Sequence, residues 1–305
     1  MGEAKRNRAR TAAAPCRCGS ENAAGSCCFD GKNWHKVPAV LGLRSLSPGS
    51  VVDRCYMKEL GSCRGALSGE HLISRSIIML LRDDGDFTVS GLPWLAEGEI
   101  KPLAPNNLTA KCLCVRHNSA LSPLDSAALK FFAALKSCLE DGEEPRHYLI
   151  SGHDIERWLL KTLKSMAVSG NLARGRERLH GAFQADVRLI EMLDDPQSWP
   201  VSTGLYCVMN PGDRFLNHNR FQLAPLAGVA NDEIGGLWTN VLGLSFVMMI
   251  EPLDLDKNPQ LRLAQFRPGR IAVNVRGTTS FIDINWEDAK RHNTVTLNFL
   301  TKVQD

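Results

Sequence analysis

Apolar positions recur at helical spacing in two stretches of the chain. In the first, Ala128, Leu129, Phe132 and Leu135 fall on one face, and Asp125 stands where an N-cap would start the helix. In the second, Ile155, Trp158, Leu159, Thr162 and Leu163 form an apolar stripe, with Arg157, Lys161 and Lys164 toward the other side. That pattern predicts an amphipathic helix whose charges meet water or a phosphate backbone. Residues 140–145, rich in Asp, Glu and Gly, read as a charged loop. Pro196, Trp199 and Pro200 mark a boundary, beyond which residues 204–209, 242–250, 271–275, 281–285 and 294–299 read as short strands. Alternation is strictest in Thr294-Val-Thr-Leu-Asn-Phe-Leu300. Helices first and strands afterwards predict an α+β chain.

Composition adds limits. A chain of 305 residues with 44% hydrophobic content suggests two domains with real cores. The longest apolar run, residues 241–250, is interrupted by Gly243 and Ser245, far short of the roughly 20 residues of a membrane span. The basic start is followed by Ala and Cys rather than an apolar segment, so a signal peptide is not expected. The expectation is a cytoplasmic protein without a membrane partner, in which ten cysteines favour metal over disulfides. Net charge is only +3, yet the basic residues cluster. Lys5, Arg6, Arg8 and Arg10 read either as a solubilising tail or as a phosphate-contacting arm. Arg174, Arg176 and Arg178 form a second candidate nucleic-acid surface.

The cysteines carry the clearest chemistry. Cys16, Cys18, Cys27 and Cys28 place four thiols within thirteen residues, with Gly19, Ser20 and Gly25 letting the loop fold back. Four thiolates at this spacing can close a tetrahedral zinc shell, and a pair of disulfides is the alternative. The Pro-Cys-x-Cys-Gly-Ser opening and terminal Cys-Cys resemble the SEC-C zinc-binding motif, although Glu21 replaces its usual Gly. The resemblance covers residues 15–28 and implies a docking element with a possible protein partner.

A second set comprises Cys55, Cys63, Cys114 and His117, where Cys-x2-His lets two side chains of one turn reach one ion. Cys112 competes with Cys114 for that role, and small buried cysteines are the bland alternative. Within this region, Ser68-Gly-Glu-His-Leu-Ile-Ser74 and Asn106-Asn-Leu-Thr-Ala-Lys-Cys-Leu-Cys-Val-Arg-His-Asn118 resemble the HNH (ββα-metal) endonuclease family. The resemblance covers about a quarter of the chain. It implies two strands and a helix around a metal, with His71 as general base and Glu70 and Asn118 as ligands of a catalytic Mg²⁺ or Mn²⁺. Asn107 would orient His71, and Asn106 serves equally on spacing.

The expected organisation is a basic arm and zinc motif over 1–36, an HNH-like module over 50–140, a helical connector over 141–196 and a β-rich C-terminal domain over 197–305. Two structural Zn²⁺ ions are expected. The expected function is metal-dependent phosphodiester hydrolysis of nucleic acid, DNA ahead of RNA, suited to a bacterial defence or mobile-element effector. The alternative is a non-catalytic zinc-binding adaptor for nucleic acid or protein. What separates the two is whether Glu70, His71 and Asn118 converge on one divalent ion.

Overall fold

The computed structural model describes residues 2–82, 86–140, 144–174, 177–178, 186–208, 219–227, 234–252, 259–288 and 290–299. Among these, the chain opens with helix α1 (Glu3–Ala13), followed by the cysteine loop. Strand β1 (Leu67–His71), helix α2 (Arg75–Arg82) and the short strands β2 (Thr88–Ser90) and β3 (Lys101–Pro102) come next. Strand β4 (Thr109–Cys114) runs straight into helix α3 (Val115–Leu139). Strand β5 (His147–Ser151) runs likewise into α4 (Gly152–Val168), and the two-residue strands β6 (Ala173–Arg174) and β7 (Glu177–Arg178) precede α5 (Val187–Asp194). The rest is β: β8 (Gly204–Val208), β9 (Arg220–Ala227), β10 (Ile234–Val241), β11 (Leu244–Met249), β12 (Ala264–Phe266), β13 (Arg270–Val275), β14 (Thr278–Asn285) and β15 (Thr294–Phe299). The α+β expectation holds, and the strands anticipated near 204, 242, 271, 281 and 294 are present. Strands β9 and β10 were not expected, because Pro225 and the Gly235–Gly236 pair mask their alternation.

The helix expected to begin at Asp125 begins ten residues earlier, with Cys114 before its first turn. Pro123 therefore lies inside it and cannot bond the Ser119 carbonyl. The Ser122 hydroxyl takes that carbonyl at 2.8 Å, which lets the helix run on. The longer helix buries Leu121, Leu124, Ala128, Phe131, Phe132 and Leu135.

The described strands form four sheets. The largest has the order β12-β8-β11-β10-β9-β2-β3, so strands from the anticipated HNH-like module extend a C-terminal sheet. The second has the order β15-β13-β14-β5, with β5 parallel to β14. The third is the antiparallel pair β1-β4, and β6-β7 forms the fourth. Aromatic rings link the layers: Phe132 meets Trp158 of α4 edge-on at 5.5 Å, and Phe131 meets Phe246 of β11 at 5.5 Å.

Helix α4 corrects the sequence expectation most sharply. Every residue from Gly152 to Ala167 is buried, including the charges expected to face solvent. Burying charge is costly unless each is paired, and the pairing is on the page. Arg157 reaches Asp154 at 2.5 Å and the Leu193 carbonyl at 3.2 Å. Glu156 receives Nε of Arg267 at 2.8 Å and the Leu205 backbone N–H at 2.7 Å. Arg267 also reaches Asp288 at 3.1 Å, and Asp288 reaches His292 at 2.6 Å. Gly204 makes room for this cluster: at φ of +125°, an added Cβ would lie 2.3 Å from Oε1 of Glu156. Arg267 is spent inside the fold on Glu156 and Asp288.

Removing the Glu156 carboxylate would leave Arg267 buried without its main partner. Glu156→Ala is therefore expected to destabilise the fold by about 3 to 5 kcal/mol, measured by urea denaturation. A loss under about 1 kcal/mol would show that the network is not a major contributor to stability.

Candidate metal sites and the Glu70 centre

The N-terminal cysteines converge as their spacing requires. The four sulfurs of Cys16, Cys18, Cys27 and Cys28 lie within 4.8 Å of one another, and the Cys18–Cys27 and Cys27–Cys28 separations are 3.6 and 3.5 Å. A tetrahedral zinc–thiolate shell needs sulfurs about 3.8 Å apart, given bonds of about 2.3 Å. Crowding splits the thiols electrostatically. Burial opposes ionisation of Cys18, but hydrogen bonds from Ser20 and the neighbouring thiols bring it down to about 6, whereas burial and those same thiols push Cys28 up. Four thiolates at this separation need a cation among them.

The loop does not hang free. Leu149 of β5 is buried against Cys16, Cys18 and Cys28, and its N–H donates to the Arg17 carbonyl at 3.0 Å. Arg17 stacks over Trp34 at 4.5 Å and reaches Asp283 at 3.5 Å. The face of the motif that meets β5 is thus covered by its own chain.

The second set is fully buried: Cys55, Cys63, Cys114 and His117 are at most 1% exposed. Nδ1 of His117 lies 3.3 Å from Cys55, 3.3 Å from Cys114 and 3.7 Å from Cys63. Nε2 faces the Ser62 hydroxyl at 3.0 Å, which leaves Nδ1 as the donor to an ion. Burial pushes Cys55 up to about 12, while backbone N–H groups of His117 and Arg64 outweigh burial and draw Cys114 down. Cys112 is buried apart from the cluster, so the choice between it and Cys114 falls to Cys114. Ser62 was not singled out from sequence, although a polar neighbour of a ligand is where such a support arises.

This cluster staples the β1-β4 pair to its helix. Strand β1 pairs antiparallel with β4, with Leu67 opposite Cys114 and His71 opposite Thr109. Helix α2 and the short strands β2 and β3 intervene between β1 and β4, and Asn118 lies in the first turn of α3.

Glu70 and Asn118 each engage partners within the protein. The Glu70 side chain is 4% exposed and lies 2.7 Å from Nζ of Lys161, reaching in from α4. Asp125 holds the same ammonium at 2.6 and 2.8 Å and also accepts from the Ser74 hydroxyl. Burial opposes the Lys161 charge, but the two carboxylates outweigh it and raise its pKa. Asn118 instead donates to the Ser68 hydroxyl at 3.0 Å. The Glu70 carboxylate is thus paired with a buried ammonium.

His71 is half-buried at the end of β1. Burial, then the nearby Arg75 charge, lowers its pKa, so the imidazole is neutral near pH 7. The Asn106 side chain engages it, and no described contact joins it to Asn107. Lys5, Arg6, Arg8 and Arg10 are exposed on α1. Arg174 and Arg178 lie on β6 and β7, with side chains outside the described set, and Arg176 lies outside the described residues. No described helix is long and apolar enough to cross a membrane.

No family model, no curated protein and no solved structure matches the chain.

Metal analysis is expected to return two ions per folded chain. A Cys27→Ser/Cys28→Ser variant should lose one and stay folded, because that cluster packs with Leu149 apart from the main core. Cys63→Ser, in the buried staple, should instead lose cooperative unfolding altogether. Metal-free protein that is equally stable would contradict both sites.

Proposed function

We propose that the chain is a zinc-stapled, non-catalytic adaptor that binds nucleic acid, with Zn²⁺ in both Cys/His clusters. The ββα element serves it as a scaffold. The observation that carries this reading is the Glu70–Lys161–Asp125 cluster. A hydrolytic site of this class needs a cation that is open to phosphate and water. Here the positive charge beside Glu70 is a lysine ammonium from a buried helix, so the substrate has no access to it. Phosphate contact falls instead to the exposed Lys5, Arg6, Arg8 and Arg10, which stand on a helix with no buried residue.

A second reading is supported by a different observation. The antiparallel pairing of β1 with a strand that runs into α3, and a neutral imidazole at the strand end, favour an HNH-like nuclease, with His71 as base and Mg²⁺ or Mn²⁺ as its ion. Under that reading, Lys161 must give up Glu70 before an ion binds.

Incubation of the zinc-loaded protein with plasmid, linear duplex and RNA, with Mg²⁺ or Mn²⁺, separates the two. The adaptor reading expects no cleavage, together with binding that weakens steeply with salt. Replacing Lys5, Arg6, Arg8 and Arg10 by Gln should reduce the salt slope by about 3 to 4. Metal-dependent cleavage that His71→Ala abolishes, with zinc retained, would establish the nuclease reading instead. An unchanged salt slope would remove the arm from the interface.

A further inference from the structure

The two cysteine clusters differ in access. Cys55, Cys63, Cys114 and His117 are at most 1% exposed, so solvent meets none of them. The N-terminal cluster opens at one corner: Cys16, Cys18 and Cys28 are 4 to 5% exposed, whereas Cys27 is exposed. The Cys27 sulfur lies 3.6 Å from that of Cys18 and 3.5 Å from that of Cys28. Those two neighbours are not equivalent. Consecutive residues hold their Cα atoms about 3.8 Å apart, below the roughly 4.4 to 6.8 Å that a disulfide usually spans, which disfavours Cys28. Cys18, nine residues away across the loop, carries no such restriction.

We infer that Cys27 is a modification site, the point at which a peroxide oxidises the N-terminal cluster and displaces its zinc. The inference rests on the zinc assigned above to both clusters. The Cys27 thiolate attacks one oxygen of hydrogen peroxide, the O–O bond breaks, and Cys27 becomes a sulfenic acid while hydroxide leaves and is protonated to water. The Cys18 thiolate then attacks the Cys27 sulfur. An S–S bond forms as the S–O bond breaks, and the second hydroxide leaves as water. The two thiolates give up two electrons, the peroxide gains them, and two protons come from solvent. Cys16 and Cys28 are left, half of the four ligands that a structural zinc site needs, so the ion dissociates. The buried staple is reached by the same oxidant only when the chain opens.

The test treats the full-length, zinc-loaded protein with hydrogen peroxide, follows zinc release with a chromogenic chelator, and maps the cysteines by alkylation and mass spectrometry. Trypsin places Cys16 in the peptide Thr11–Arg17 and the other three in Cys18–Lys32. One zinc per chain is expected to leave at least about tenfold faster than the second. The bond should appear inside the Cys18–Lys32 peptide, between Cys18 and Cys27, with Cys16 and Cys28 alkylated. Dimedone added with the peroxide should mark Cys27, and dithiothreitol with fresh zinc should restore the site. Retention of both ions, release of both at one rate, a disulfide joining the two peptides, or dimedone on a buried cysteine ahead of Cys27 would each overturn the proposal.

Discussion

The fold depends on a constraint set by α4: a helix carrying Asp154, Glu156, Arg157, Lys161 and Lys164 is buried along nearly its whole length. Unpaired, those charges would cost more than the apolar stripe of Ile155, Trp158, Leu159 and Leu163 returns. Each neighbouring element is arranged to answer one of them. The loop before β13 supplies Arg267 to Glu156, the β1-β4 pair supplies Glu70 to Lys161, and α3 adds Asp125. Lys164 lies over the Tyr56 ring at 5.3 Å, and burial, partly opposed by Asp186, lowers it to about 8. The N-terminal segment, the β1-β4 pair and the C-terminal sheets therefore meet on one charged helix.

That constraint changes the meaning of the Glu-His pair. In an open site, a carboxylate at a strand end is free to hold a metal ion. Beside α4, the same carboxylate completes a salt bridge that the core requires. His71 keeps the neutral imidazole that base chemistry demands. The charge arrangement around Glu70 is that of a structural core, and a strand-end Glu-His pair alone does not define a reaction.

What the sequence revealed followed from local order. Both cysteine clusters were legible because their chelating spacings, Cys-x-Cys, Cys-Cys and Cys-x2-His, are short. The helix around Phe132 was legible by its period, although its true start was hidden by Pro123, which Ser122 accommodates. Alternation exposed β13 to β15 but not β9, where Pro225 breaks the pattern. Burial of Lys161 was not legible, since a stripe of apolar residues opposite charged ones is the same pattern a surface helix shows. Only the distant carboxylates of Glu70 and Asp125 distinguish the cases. Docking of the cysteine motif onto Leu149 was hidden for the same reason, because nothing near Cys16 in sequence announces a partner strand.

The central claim is that Lys161, rather than a divalent ion, neutralises Glu70. Titration of Mn²⁺ into zinc-loaded protein, followed by electron paramagnetic resonance, tests it most directly. The account predicts no Mn²⁺ bound beyond weak surface association, with identical spectra for wild type and Glu70→Gln. A stoichiometric Mn²⁺ signal in the wild type that disappears in Glu70→Gln would contradict it.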